Sequence, residues 1–75
     1  MIKLYQLPQC GACARVRAKM EELDVDYEIQ NIDRENKPQI VLDKGGFVPV
    51  IDDEGTVMNE SGDIIEYLDY KYGQN

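Results

Sequence analysis

Apolar positions recur along this chain with two different periods, and the switches between them mark out its elements. Residues 2–7 set Ile2 and Leu4 against Lys3 and Tyr5 and stop at Pro8, which predicts a strand with both faces largely covered. From 11 to 24 the period lengthens. Cys13, Val16, Met20 and Leu23 fall on one helical stripe, with Arg15, Arg17, Lys19, Glu21 and Glu22 on the other faces. Residues 25–32 return to period two through Val25, Tyr27 and Ile29, a second strand.

The second half is punctuated by turn residues. Asn36 is the expected cap of a short helix carrying Pro38 in its first turn, with Ile40, Val41 and Leu42 buried and Gly45 or Gly46 ending it. Residues 47–51 and 56–58 read as a hairpin around an acidic turn that ends at Gly55. Ser61 is the expected cap of a closing helix whose core stripe is Ile64, Ile65, Leu68 and Tyr72, with Gly73 after its end. The order is β-α-β-α-β-β-α. A first β-α-β unit with parallel strands, joined by an antiparallel hairpin, predicts an α/β fold with a four-stranded mixed sheet and three helices distributed over both faces.

Seventy-five residues, 43% of them apolar, predict one small domain spanning 1–75, stabilised by packing. Fifteen acidic residues against eight basic ones give a formal charge of −7, which disfavours both nucleic acid and anionic membranes as partners. The N-terminal apolar run is broken by Lys3, Gln6 and Pro8, so neither a signal peptide nor a membrane span is expected. The expected location is cytoplasmic, where thiols stay reduced.

That compartment changes the meaning of the only two cysteines, Cys10 and Cys13, in Leu-Pro-Gln-Cys-Gly-Ala-Cys-Ala-Arg-Val. A disulfide between them would close only a tiny loop and staple nothing. Two cysteines and no histidine fall short of the four ligands of a structural zinc site, although a dimer could pool four thiolates around zinc or an iron–sulfur cluster. A soft-metal chaperone is a further reading, set last because such domains end in a strand and this chain is expected to end in a helix. The third and leading reading is a redox dithiol. Cys10 falls where a strand has ended and a helix begins, so unpaired N–H groups and the helix dipole favour its thiolate. Cys13 lies one turn on, on the apolar stripe. Cys10 would attack a disulfide and Cys13 would resolve the mixed disulfide. Arg15, Arg17 and Lys3 lie near Cys10 in sequence but read first as solvated charges in register with Lys19, Glu21 and Glu22.

Over essentially its whole length the chain resembles the glutaredoxin family of the thioredoxin-fold superfamily, and it is also similar to the N-terminal domain of glutathione transferases. The strand–Cys-x-x-Cys–helix segment, Phe-Val-Pro-Val at 47–50 and Asn-Glu-Ser-Gly-Asp at 59–63 carry the resemblance. It implies a thioredoxin-like fold and a thiol-disulfide oxidoreductase with Cys10 as nucleophile and Cys13 as resolving thiol. It further implies a cis Pro49 facing the cysteines, a Val48 backbone that pairs with an extended thiol substrate, and Glu60 and Ser61 at the γ-glutamyl end of glutathione. Gly62 and Asp63 lie next to them as further candidates. Glutathione is then the co-substrate, no cofactor is tightly bound, and a disulfide-containing protein is the partner. The motif is Cys-Gly-Ala-Cys rather than Cys-Pro-Tyr-Cys, so the residue beside the nucleophile is not aromatic. Gln6 stands where many members carry a carboxylate-reading lysine, and Met58-Asn59-Glu60-Ser61 replaces a Gly-Gly loop. These departures keep a thioredoxin-reductase-type donor open beside glutathione. A glutathione- or cluster-binding module without turnover is the alternative of another class.

Overall fold

A computed structural model describes residues 1–73. The elements run β1 (Ile2–Gln6), α1 (Gly11–Glu22), β2 (Tyr27–Asn31), α2 (Gln39–Leu42), β3 (Val50–Asp53), β4 (Thr56–Asn59) and α3 (Ser61–Tyr72). The sheet order is β2-β1-β3-β4, with β1 parallel to β2 and the other two pairings antiparallel. This is the thioredoxin-like α/β arrangement, and β1 lies beside both β2 and β3.

Alternation along β1 and β3 divides the core. Ile2, Leu4 and Ile51 share a face and pack with Val16 and Met20 of α1 and Ile64 and Leu68 of α3 in one buried cluster. The α1 stripe is therefore as its spacing predicts, with Cys13, Val16 and Met20 fully buried. Val50 points the other way, and it and Val41 of α2 are buried outside that cluster.

The local departures have local causes. Asn36 does not cap α2. Asp33 takes the N–H groups of Glu35 (2.9 Å, through Oδ1) and Asn36 (3.1 Å, through its carbonyl), so that stretch closes as a turn. The helix shrinks to one turn behind Pro38, and only Val41 is fully buried, with Leu42 49% exposed. Gly45 and Gly46 end it at φ 88° and 81°, a conformation that suits glycine. The hairpin strand starts at Val50 rather than at 47, which leaves Phe47 exposed ahead of Pro49. Ile29 is 42% exposed on the edge strand β2, although it is in register with the fully buried Leu4. Ser61 is the first residue of α3, not its cap. The cap position is Glu60, at φ 72° and without a side-chain capping bond. No helix among the described residues is long and apolar enough to cross a membrane.

Candidate active site

Pro8 ends β1, and the backbone turns through a Cys10 N–H to Leu7 carbonyl bond of 3.1 Å before α1 starts at Gly11. Cys10 thus becomes the N-cap of α1, where its Sγ accepts the Cys13 N–H at 3.3 Å. Serine and asparagine do this work at most helix starts. Here a sulfur does it, and the groups that cap the helix also stabilise negative charge on that sulfur.

Both thiols are free. Partial burial opposes ionisation of Cys10, but the Cys13 thiol, the N–H groups of Cys13 and Ala12, and the Arg17 charge outweigh it, so its pKa is lowered. Cys13 goes the other way. Burial first, and then its hydrogen bond and charge interaction with Cys10, push it up to about 11 against smaller favourable contributions from Leu7 and Arg17. The pair is therefore asymmetric, with negative charge favoured on Cys10 and the proton held on Cys13 at neutral pH.

A groove of about 240 Å³ opens beside the pair, lined by Ala12, Phe47, Val48, Pro49, Asn59, Glu60 and Ser61. The Val48–Pro49 peptide is cis. Val48, Pro49, Glu60 and Ser61 therefore come together as the resemblance implied, against the first turn of α1. The hydroxyl of Ser61 accepts a 2.5 Å bond from Arg15 Nη2, which ties the start of α3 to α1. Asn59 donates to the Lys44 carbonyl at 3.2 Å and fixes the chain just before Glu60. The positive φ of Glu60 is costly for a non-glycine residue, and such conformations cluster at binding sites.

Gln6 is not part of the groove lining. It is 4% exposed at the end of β1, accepts from Arg17 Nη1 and donates to Asn31 Oδ1 at 2.8 Å. The reading of these arginines as solvated charges holds for Arg15, which is exposed though bonded to Ser61, and is corrected for Arg17, which is half-buried and donates to Gln6. Phe47 and Asn59 are groove residues that sequence patterning passes over. A second cavity, of about 270 Å³, shares Phe47 and Val48 and brings in Leu7, Arg34 and Lys37. Lys37 is fixed there by donating to the Gly46 carbonyl at 2.8 Å. Among the described residues no group of three or more His, Cys, Asp or Glu side chains is placed to hold a metal.

The chain is 32% identical over 74 residues to glutathione S-transferase omega-1 of Rattus norvegicus, covering 95% of this chain and 31% of that protein. Glutathione transferase Omega 3C from Trametes versicolor superimposes with a TM-score of 0.88 at 27% identity, over 97% of this chain and 34% of that one. Dehydroascorbate reductase from Chlamydomonas reinhardtii gives 0.86 at 27% identity, over 97% and 39%. The chain thus spans about a third of the length of the curated relatives it matches. Residues 4–75 match the family described as "Glutathione S-transferase, N-terminal domain". The chain belongs to the glutathione S-transferase N-terminal domain family.

Proposed function

We propose that this chain is a glutathione-dependent thiol-disulfide oxidoreductase of glutaredoxin-like chemistry on a glutathione-transferase fold. The Cys10 thiolate attacks the sulfur of a glutathione or protein disulfide. An S–S bond to Cys10 forms, the original S–S bond breaks, and one thiolate leaves and takes a proton. Cys13 then loses its proton and attacks Cys10 Sγ, releasing the second thiol and leaving a Cys10–Cys13 disulfide. Two further glutathione molecules reduce it and leave as oxidised glutathione. Once Cys10 is in a neutral disulfide, its contribution to holding the Cys13 proton disappears, and burial is left as the main cause that opposes ionisation of the resolving thiol.

The observation that carries this reading is the opposed state of the two thiols, a depressed Cys10 at a helix tip and a raised Cys13 beneath it. Glutathione as co-substrate is supported by the family and by relatives named as glutathione transferases. Reduction as the reaction class is supported by a relative named as a dehydroascorbate reductase. Val48, Glu60 and Ser61 are the residues we assign to glutathione, with its carboxylate towards the start of α3. The reading places the protein in a reducing compartment such as the cytoplasm, where both thiols stay free.

Mass spectrometry of Cys13→Ser after incubation with oxidised glutathione tests it. One glutathione trapped on Cys10 is the expected result. A Cys10 that stays free and alkylates like an ordinary thiol overturns the proposal. Refusal of glutathione, with reduction through a thioredoxin-reductase-type enzyme, would remove the co-substrate and keep the exchange chemistry. Because the chain spans only a third of its relatives, a second reading is a glutathione-binding unit without turnover of its own. Under that reading Cys10→Ser leaves glutathione affinity intact and there is no dithiol activity to lose.

A further inference from the structure

The unusual feature at the dithiol is how a cation on its own helix is held. Arg17 lies two turns along α1 from Cys10, is half-buried, and forms no ion pair among the described residues in a chain of net charge −7. Its partner is the buried amide of Gln6. A guanidinium only donates, so Gln6 must present its carbonyl oxygen to Arg17 and its NH2 to Asn31 Oδ1. Arg17, Gln6 and Asn31 come from α1, β1 and β2, and Gln6 and Asn31 are also register partners in the sheet. The chain of bonds spans three elements and orients a full positive charge without cancelling it. A carboxylate in place of Gln6 would hold the arginine equally well and neutralise it.

Of the neighbouring charged groups, Glu21 lies one turn further along α1 and accepts from the Tyr27 hydroxyl of β2 at 2.7 Å, and forms no ion pair with Arg17. Arg15 is bonded to Ser61, Glu60 stands across the groove, and Arg34 and Lys37 lie beyond Val48. Leu7, the residue after Gln6, has its backbone at Cys13, so the Gln6 anchor adjoins the buried thiol. Arg17 stands one turn of α1 beyond Cys13 and two beyond Cys10, on the same helix face as both sulfurs, and its charge favours the thiolate at each.

We infer that Arg17, clamped through Gln6 to Asn31, is a positioning residue that supplies a fixed, unneutralised positive charge to both sulfurs, so that Cys13 can ionise for the resolving step. The inference rests on the dithiol chemistry proposed above and deepens it. In the step concerned the Cys13 proton goes to solvent, the Cys13–Cys10 bond forms, the bond from Cys10 to the substrate sulfur breaks, and the departing thiolate is reprotonated.

The test is the pH profile of Cys10 alkylation in a Cys13→Ser background and of the resolving step in the full dithiol, together with the equilibrium of the full dithiol against glutathione. Arg17→Met is expected to move the profile to higher pH and to slow alkylation at pH 7 about threefold to tenfold. It should also shift the glutathione equilibrium towards the Cys10–Cys13 disulfide, because the reduced form loses its stabilised thiolate. Arg17→Lys, which keeps the charge, restores most of both. Asn31→Ala, at an exposed position, gives a smaller shift of the same sign by loosening Gln6. Superimposable profiles for the parent and Arg17→Met overturn the inference, and so does an equal shift in Arg17→Lys, which would make the effect one of packing rather than charge. If the parent itself shows neither early alkylation nor exchange with glutathione, the proposed function falls and this inference with it. An active parent with an indifferent Arg17→Met sinks the inference alone.

Discussion

The two ends of the sheet hold charge in opposite ways. At the far end, Asp53 is 2% exposed and its Oδ2 accepts from Tyr67 (2.6 Å), Tyr72 (2.7 Å) and Lys71 (3.0 Å), all from the closing turns of α3. Burial would raise its carboxyl, but those bonds and the Lys71 charge prevail and hold it below the usual range. All three bonds converge on one carboxylate oxygen and the charge is cancelled, which makes the cluster a clasp between β3 and α3. At the dithiol end, Arg15 and Arg17 donate to uncharged oxygens, and the N–H groups of Cys13 and Ala12 and the Arg17 charge lower the pKa of Cys10 against its partial burial. The larger cavity, about 520 Å³ lined by Asp24, Asp53, Glu54, Lys71 and others, lies at the satisfied end, whereas the groove beside Cys10 is less than half that size. Uncancelled charge next to a groove marks the chemistry here better than volume does.

That contrast can be broken by substitution at either end. Cys10→Ser should reduce disulfide exchange about 10³-fold or more, while stability changes by less than about 0.5 kcal/mol. Parallel turnover assays and thermal melts check this, and unfolding of the variant would give Cys10 a structural role that the contrast denies it. Asp53→Ala should do the reverse. It strands two part-buried hydroxyls and an ammonium, costing about 2–4 kcal/mol. For a domain this size that is a fall in Tm of roughly 10 °C or more, with Cys10 alkylation unchanged at temperatures where the variant is folded.

Titration sharpens the difference. The depressed Asp53 carboxyl contributes stability that is complete above the ordinary carboxylate range, about pH 4, and is lost as pH falls through its lowered value. The raised Cys13 thiol works with the other sign. Its contribution is complete below its ordinary pKa near 9 and is lost as pH rises towards about 11. Chemical denaturation at intervals from pH 8 to 11 should therefore show a shallower alkaline loss in Cys13→Ala than in the parent. An identical slope would mean that Cys13 is less buried than the structure has it. The smallest effect is expected for Arg15→Ala. Its bond to Ser61 is exposed and worth under about 0.5 kcal/mol to the fold, but freeing the start of α3 should weaken glutathione binding severalfold by calorimetry.

The residues that could be read correctly in advance are those whose environment is set by their own neighbours in sequence. The α1 stripe, the place of Cys10 at the strand–helix junction and the Gly45–Gly46 stop depend on spacing of a few residues and on intrinsic backbone preference, and they stand as expected. Asn36 failed as a cap because Asp33, three residues earlier, captured the nearby N–H groups first. Ser61 failed because the turn out of β4 puts Glu60 at φ 72° and leaves the serine inside the helix, free to meet Arg15. Leu42 looks like core by composition but lies on a one-turn helix that buries only Val41.

The sequence by itself determined the order of elements and the placement of the Cys-x-x-Cys pair at a strand–helix junction, because helix and strand periodicity and helix-start chemistry are local. Only the tertiary structure decided what surrounds the sulfurs. Gln6 and Arg17 are eleven residues apart, Arg15 and Ser61 forty-six, and Asp53 and Tyr72 nineteen. No periodicity links such pairs. They meet because the sheet order sets β1 between β2 and β3 and stacks α1 on α3, and that packing determines which charges are cancelled and which are left to act.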